Sequence, residues 1–486
     1  MDGPLIVVGC GVAGLSAAVS ALQAGLPVTL LERAPEAEFG GNSRWTEAFL
    51  RMKNDAELAD DFEEVFAANA GWNIDPNLLA AAAGAPEHWP PALRAHPMPD
   101  PALVAAFADR VPPTIAWLKG FGLRFGPQPI YLLTQNTSRI ATQGGGLALI
   151  ERLMAEAKAL GARVLFRTTA QDLLREEATG RVTGVLATGP EGERLRLAGR
   201  AVVLASGGFQ GDAEMMTRYL GARRARHIRP VAPGGYFDRG EGIRMALAAG
   251  AAPAGEYGSY HAEPVDPRAR RAEAVIFVWP YGVLLNRQGE RFTDEGRRTV
   301  DAMYDEVGRE IADQPDGLVW AVVDGRIEDI PNWRVAVRSE VPPLETPTLE
   351  GLVAQLDLDR GRALATLAAF NAACPPPQGF EPLRLDGHAT EAALAPPKTN
   401  WAWPLLRPPF RAWPVISTAC FTFGRLKVDT AARVLDRDGK VMPGLYAAGE
   451  TVGLYHQVYA GATSVLRGLV FGRTAGLHAA GAPLPG

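Results

Sequence analysis

Cysteine is scarce. The 486 residues hold three, Cys10, Cys374 and Cys420, none in a C-x-x-C or C-x-x-C-H spacing, which removes a disulfide framework, an iron–sulfur cluster and a c-type haem from consideration. Excess charge of one sign is also missing: 49 Lys plus Arg face 54 Asp plus Glu, for a net charge of −5. With no run of five like charges, nothing marks a surface for nucleic acid or an anionic membrane, and Arg223, Arg224, Arg226 and Arg229 read as surface charge or a small-anion contact. An uninterrupted hydrophobic span is lacking too. Leu5 to Leu31 carries no charge, but no basic residue precedes it, and Gly9, Gly11, Gly14, Gly25 and Pro27 break it, so it reads as neither signal peptide nor membrane helix. A cytoplasmic location is expected. The composition, 47% hydrophobic and 21% charged, is that of an ordinary globular protein. The length exceeds the ~250–300 residues at which one core stops growing, so two domains are expected.

Within Leu5–Leu31 the letters read as strand, glycine turn, helix and strand. Leu5-Ile6-Val7-Val8 is a short β-branched run leading into Gly9-Cys10-Gly11-Val12-Ala13-Gly14, a G-x-G-x-x-G. Ser16 to Ala24 is rich in Ala and Leu, Gly25 stops the helix, and Val28 to Leu31 ends in Glu32. The first glycine permits the turn, the second admits a pyrophosphate to the backbone, and the third lets helix and strand pack. The helix N-terminus offers partial positive charge, and Glu32 would accept hydrogen bonds from a ribose. FAD and NAD both use such a unit.

Two later segments bear on that choice. Ala201-Val202-Val203-Leu204-Ala205-Ser206-Gly207-Gly208 and Gly444-Leu445-Tyr446-Ala447-Ala448-Gly449-Glu450 resemble the A-T-G-G and G-L-Y-A-A-G-E signatures of two-dinucleotide-binding flavoproteins. Gly40-Gly41-Asn42-Ser43-Arg44 resembles the G-G-N-S loop of the fumarate reductase and succinate dehydrogenase flavoprotein superfamily. Gly144-Gly145-Gly146, Arg239-Gly240-Glu241-Gly242, Gly289-Glu290-Arg291-Phe292 and Phe423-Gly424-Arg425 follow in the family's order. Within the superfamily, Asp294-Glu295-Gly296, Pro396-Pro397-Lys398-Thr399-Asn400-Trp401 and Thr422-Phe423-Gly424 look most like the tricarballylate dehydrogenase flavoproteins.

This resemblance implies an α/β fold: a Rossmann-like FAD domain with an inserted mixed α+β capping domain. The FAD domain is expected over 1–257, with a helical insertion at about 46–140, and again over 419–486; the cap is expected over 258–418. Helical spacing covers Asp55 to Ala70 and Pro101 to Gly122, and Arg163 to Gly208 suggests an antiparallel meander. The implied cofactor is FAD, bound without a covalent link because no histidine follows Asn42 before His88. Its implied contacts are Gly9, Gly11, Val12, Ala13, Gly14, Glu32, Arg33, Gly41, Asn42, Ser43, Ala170, Ser206, Gly207, Glu241, Gly449 and Glu450. Thr463, Ser464 and Val465, at the start of the last helix, are expected to turn their amides toward the flavin. No metal is expected.

The implied chemistry is desaturation of a small anionic or carbonyl-bearing substrate. This needs a hydride acceptor, a base for the neighbouring carbon, and cations or hydrogen-bond donors for the activating carbonyl. His261 stands where fumarate reductases place a substrate histidine. Arg297 and Arg298 lie within one residue of those enzymes' acid, and either could bind a carboxylate. Their second histidine gives way to Ala419-Cys420-Phe421-Thr422, and Arg425 brings a cation toward the flavin edge. Tyr459 replaces the substrate-clamping arginine, as tyrosine does in tricarballylate and 3-ketosteroid dehydrogenases. It would donate to a carbonyl or, if it lost its proton to a neighbour such as His456, serve as base. Electrons are expected to leave to a separate acceptor, whether a membrane or soluble redox partner, a quinone or oxygen. Alternatives are a biosynthetic flavoprotein similar to precorrin-3B synthase, a natural-product tailoring oxidase, and a non-catalytic FAD-binding electron-transfer subunit.

Overall fold

The computed structural model describes every residue except 1–2, 69–77, 83, 86–87, 95–97, 128–131, 135–136, 377–380 and 486. Strand β1 (Leu5–Val8) is buried along its whole length and pairs in parallel on both sides, with β2 (Val28–Leu31) and with the strand Ala201–Leu204. Burial on both faces explains its unbroken β-branched run. The six-stranded sheet runs Arg433–Leu435, Val441–Ala447, Ala201–Leu204, β1, β2, Arg163–Leu165, and is parallel except at the first pair. From β1 the chain moves one way to β2 and later the other way to Ala201–Leu204. A crevice therefore opens at the carboxyl ends of the strands, where ligands bind in such sheets.

Helix α1 (Val12–Gln23) starts at the glycine turn and packs against the C-terminal helix Ser464–Ala480. Gly468, Gly472 and Gly476 face it at four-residue spacing. A Cβ on Gly472 would lie 2.2 Å from Ala13 O, and one on Gly476 2.2 Å from Ala17 O, so the two backbones touch where only glycine fits.

The second sheet is built on one long strand, Phe410–Thr422. It pairs antiparallel with Leu318–Val323, Tyr260–Val265 and Leu344–Thr346, and in parallel with Arg229–Pro230. This strand runs through residue 418, so 419–422 hydrogen-bond within the second sheet. A bulge between His261 and Ala262 re-aims side chains on Tyr260–Val265. Helix Val300–Ala312 lies across both Tyr260–Val265 and Phe410–Thr422.

Between about 46 and 140 the chain is less helical than its spacing suggested. Only Glu64–Ala68 of the Asp55–Ala70 stretch is helical, with Asn69 and Ala70 outside the described residues. Pro101–Lys119 is continuous through Pro112 and Pro113, its first turn capped by Asp100, which accepts from Ala102 N at 3.0 Å. Three short strands, Phe49–Leu50, Phe125–Gly126 and Ile140–Thr142, form a small sheet the sequence did not suggest. The meander forms from Thr169–Arg175, Val182–Thr188 and Arg194–Ala198, while Arg163–Leu165 and Ala201–Leu204 join the parallel sheet.

Candidate functional site

One cavity runs from the glycine turn to the second sheet. Its near end fits a dinucleotide. Gly9 sits at φ 106°, where a Cβ would strike Ala205 O at 2.3 Å, and a Cβ on Gly14 would lie 1.9 Å from Gly9 O. Gly11 is open, its nearest neighbour being Ser43 Oγ at 3.5 Å. Helix α1 has no acid in its first turn, and no side chain of the cap residue Gly11 covers its amides, the state an incoming phosphate requires. Ser43 Oγ accepts from Val12 N at 3.3 Å. Glu32 accepts from Cys10 N at 2.9 Å and Ala34 N at 2.8 Å, which holds its carboxyl on the cavity wall. Arg33 pairs with Glu241 beside it, and Ala170 lines the same end.

Farther along, Gly41, Asn42, Ser206, Gly207, Gly449 and Glu450 continue the wall. Burial raises the Glu450 carboxyl while Arg425, at 2.6 Å, opposes that shift. Gly208 is required here: a Cβ would lie 2.2 Å from Glu450 Oε1 and 2.7 Å from Arg425 Nη2. Asn42 Nδ2 donates to Cys420 O at 2.6 Å, tying the G-G-N-S loop to the second sheet.

The far end is organised by one face of helix Val300–Ala312. Asp301, Tyr304 and Asp305 stand at i, i+3 and i+4, so they project together. Asp301 holds Arg139, whose side chain is 6% exposed and lines the cavity. Asp305 is 3.4 Å from His261 Nδ1 and accepts from Ala262 N at 2.7 Å and Tyr459 N at 3.3 Å, with Arg309 at 3.4 Å. Burial alone would raise Asp305, yet Arg309, His261 and the Ala262 amide hold it below the usual carboxylate range, so it is ionised. His261 Nε2 lies 3.5 Å from the Tyr304 hydroxyl, and the ring packs on Tyr459 (centroids 4.3 Å apart) and Phe421 (5.0 Å).

Several expected residues stand elsewhere. The Tyr459 ring lines the cavity, but its hydroxyl accepts from Thr463 N and Ser464 N, both at 3.0 Å, and donates to Ser464 Oγ. Burial raises its phenol despite those contacts, which favours the protonated form. Two of the amides expected at the flavin thus serve Tyr459. Gly14 and Thr463 lie behind the wall, whereas Val12, Ala13, Ser464 and Val465 line it. His456 is buried in the loop, bridged to Val458, off the wall. Arg297 pairs with Glu310 at 2.9 Å and Glu306 at 3.2 Å, and Arg298 with Glu306 at 2.5 Å; neither reaches the cavity. Arg425 is fully buried behind Glu450, bound to Thr422 Oγ1 at 2.6 Å, and burial lowers it to about 10, still cationic at neutral pH. It positions Glu450 and does not line the cavity.

His261, Glu263 and Cys420 bring ligand-type atoms within 4.8 Å of one another. Burial, then a neighbouring acid, raises both the Glu263 carboxyl and the Cys420 thiol. Both shifts favour the protonated forms, whereas a metal needs the protons removed. Arg139, Tyr304, Asp305, Glu263 and Glu273 were not read from the sequence. No motif spacing announces them; the helix face 301/304/305 was the available signal, and a polar face usually means solvent.

The family model described as "FAD binding domain" matches residues 5–466. NADH:acrylate oxidoreductase of Vibrio harveyi is 27% identical over 97% of this chain and 50% of that protein. Vinyl phenol reductase of Lactiplantibacillus plantarum is 26% identical over 98% of this chain and 96% of that protein. The chain thus spans half of one curated relative and nearly all of the other. Among solved structures, the open conformation of a flavocytochrome c3 fumarate reductase superposes with a TM-score of 0.71 at 21% identity, covering 99% of this chain and 78% of that one. That likeness concerns the fold. Among the described residues, no helix is long and apolar enough to cross a membrane.

Proposed function

The chain belongs to the FAD binding domain family and takes FAD as cofactor, and from that premise we propose an oxidoreductase of CH–CH or C=C bonds whose small-molecule substrate is activated by a carboxylate or carbonyl. FAD, bound without a covalent link, supplies hydride exchange at N5. Arg139, held by Asp301, binds the activating carboxylate or carbonyl, which draws charge away from the reacting carbons. His261 handles the proton: Asp305 fixes Nδ1, leaving Nε2 for the cavity, and its charge offsets the imidazolium that forms. In desaturation Nε2 takes the proton, and in reduction it returns one. Tyr459 and Phe421 pack His261 into place. The observation that carries this reading is the helix face that aims Asp301 and Asp305 at one arginine and one histidine of the same cavity. Tricarballylate is the specific substrate that the sequence resemblance offers. Electrons pass to or from a separate soluble or membrane carrier, a quinone or oxygen.

The test is anaerobic mixing of the FAD-loaded protein with tricarballylate, succinate and a ketosteroid, and of its reduced form with acrylate, fumarate and urocanate. Bleaching or reoxidation of the flavin by one of them supports the proposal. Arg139→Gln is then expected to raise KM about 10–100-fold, the loss of a charged contact. Failure of all six, with ready electron exchange with a carrier, would replace it with a non-catalytic electron-transfer subunit.

A further inference from the structure

A second stretch of the same cavity wall is acidic. Glu263 lies two residues beyond His261 on the strand Tyr260–Val265, is 4% exposed and lines the cavity. Its Oε2 is buried and has no hydrogen-bond partner in the protein. A buried oxygen in that state carries an unmet desolvation cost, which a ligand offering hydrogen would remove. Glu273 lines the cavity as well, and its partner Arg338, at 3.6 Å, is shared with Glu47. Glu263 has no arginine of its own within ion-pairing distance among the described residues.

We propose that Glu263 is a specificity residue that receives an O–H or N–H group of the substrate, so that the cavity takes molecules with one activating carboxylate or carbonyl, bound by Arg139, and a hydrogen-bond donor elsewhere. This rests on the oxidoreductase reading and narrows it. A second carboxylate placed beside Glu263 would be desolvated next to the Glu273 charge, with only one partly committed arginine to offset it; a hydroxyl or ring N–H meets the orphaned oxygen. Burial and the Glu273 charge also hold the Glu263 carboxyl well above its ordinary range, which agrees with a site that rejects further negative charge. The wall therefore disfavours a tricarboxylate and favours a singly charged acid with a polar tail.

The experiment is spectral titration of the oxidised, FAD-loaded protein with cinnamate, 4-hydroxycinnamate, urocanate and tricarballylate, read from perturbation of the flavin bands. At least one donor-bearing acid is expected to bind about tenfold or more tightly than cinnamate, the size of one satisfied buried oxygen. Tricarballylate is expected to bind more weakly than that acid, and Glu263→Met to erase the preference while leaving cinnamate unchanged. Equal binding of all three monoacids, or tightest binding by tricarballylate, overturns the proposal in the wild type alone, even if Glu263→Met does not fold. It is also overturned if Glu263→Met shifts the ligand-free flavin spectrum yet keeps the preference, since Glu263 would then face the cofactor. If acids bind in an Arg139-dependent manner without regard to donors, this inference fails and the oxidoreductase reading stands. If no acid binds and neither an acid nor the ketosteroid exchanges electrons with the flavin, both fail.

Discussion

Replacing Asp305 with asparagine should weaken the fold by an amount that follows from what the carboxylate holds. The side chain accepts from Ala262 N at 2.7 Å and Tyr459 N at 3.3 Å, and stands 3.4 Å from both His261 Nδ1 and Arg309. The amide keeps one acceptor oxygen, so the short bond survives in neutral form at a loss of about 1 kcal/mol relative to a charged one. Its NH₂ must then face another donor, either the Tyr459 amide or Arg309, which costs about 1–3 kcal/mol. The sum is about 2–4 kcal/mol at neutral pH. Because the folded-state value of Asp305 lies below its ordinary one, its stabilisation is complete above the unfolded-state value near 4 and disappears as pH falls through the folded one. The gap between wild type and Asp305→Asn should therefore be full at about pH 7 and close below about pH 4. Urea unfolding of the FAD-loaded proteins across that range, with equal slopes, measures it. A gap under about 1 kcal/mol at neutral pH, or one that persists unchanged in acid, would refute the reasoning. Turnover should fall about a hundredfold or more through loss of the His261 orientation.

Glu273 should act in the opposite sense. Burial raises it to about 7, against Arg338, so stability falls as pH rises from about 4.5 to about 7, by about 3 kcal/mol in all, and Glu273→Gln should flatten that slope in pH-dependent unfolding. Tyr459→Phe leaves two helix-start amides without their acceptor; a loss of about 2 kcal/mol is expected in the same assay, with FAD retained. Its turnover should fall less than about tenfold, whereas a drop near a thousandfold would restore tyrosine as the proton-transfer group. Acid precipitation should release the flavin into the supernatant as intact FAD; yellow colour left on the pellet would show a covalent bond.

What could be read from the letters and what could not follow a physical divide. Gly9 and Gly14 were legible because backbone approach at 1.9–2.3 Å admits no side chain, so the constraint is written into one residue type. Glu32 and Glu450 were legible through the strands that end beside them. The cations were misplaced because spacing along the chain does not say which way a side chain turns. Arg425 follows the right loop but folds under Glu450, and Arg297 and Arg298 precede the right helix but find Glu306. Arg139 had no local pattern at all, since its value comes from Asp301, 162 residues away. Asp301, Tyr304 and Asp305 fitted an ordinary solvated helix face until the strand Tyr260–Val265 was seen beneath it.

The glycine ladder on the last helix carries a consequence for how the holoenzyme is made. The phosphate-facing start of α1 rests on Gly468, Gly472 and Gly476 more than 450 residues downstream, and Ser464 and Val465 on that helix close the cavity. While the ribosome is still working through the second sheet, the glycine turn has already emerged but lacks its backing. Cofactor capture must therefore be a late event in biogenesis, and a truncation that removes this last helix should yield a colourless protein even though every residue of the N-terminal glycine turn is present.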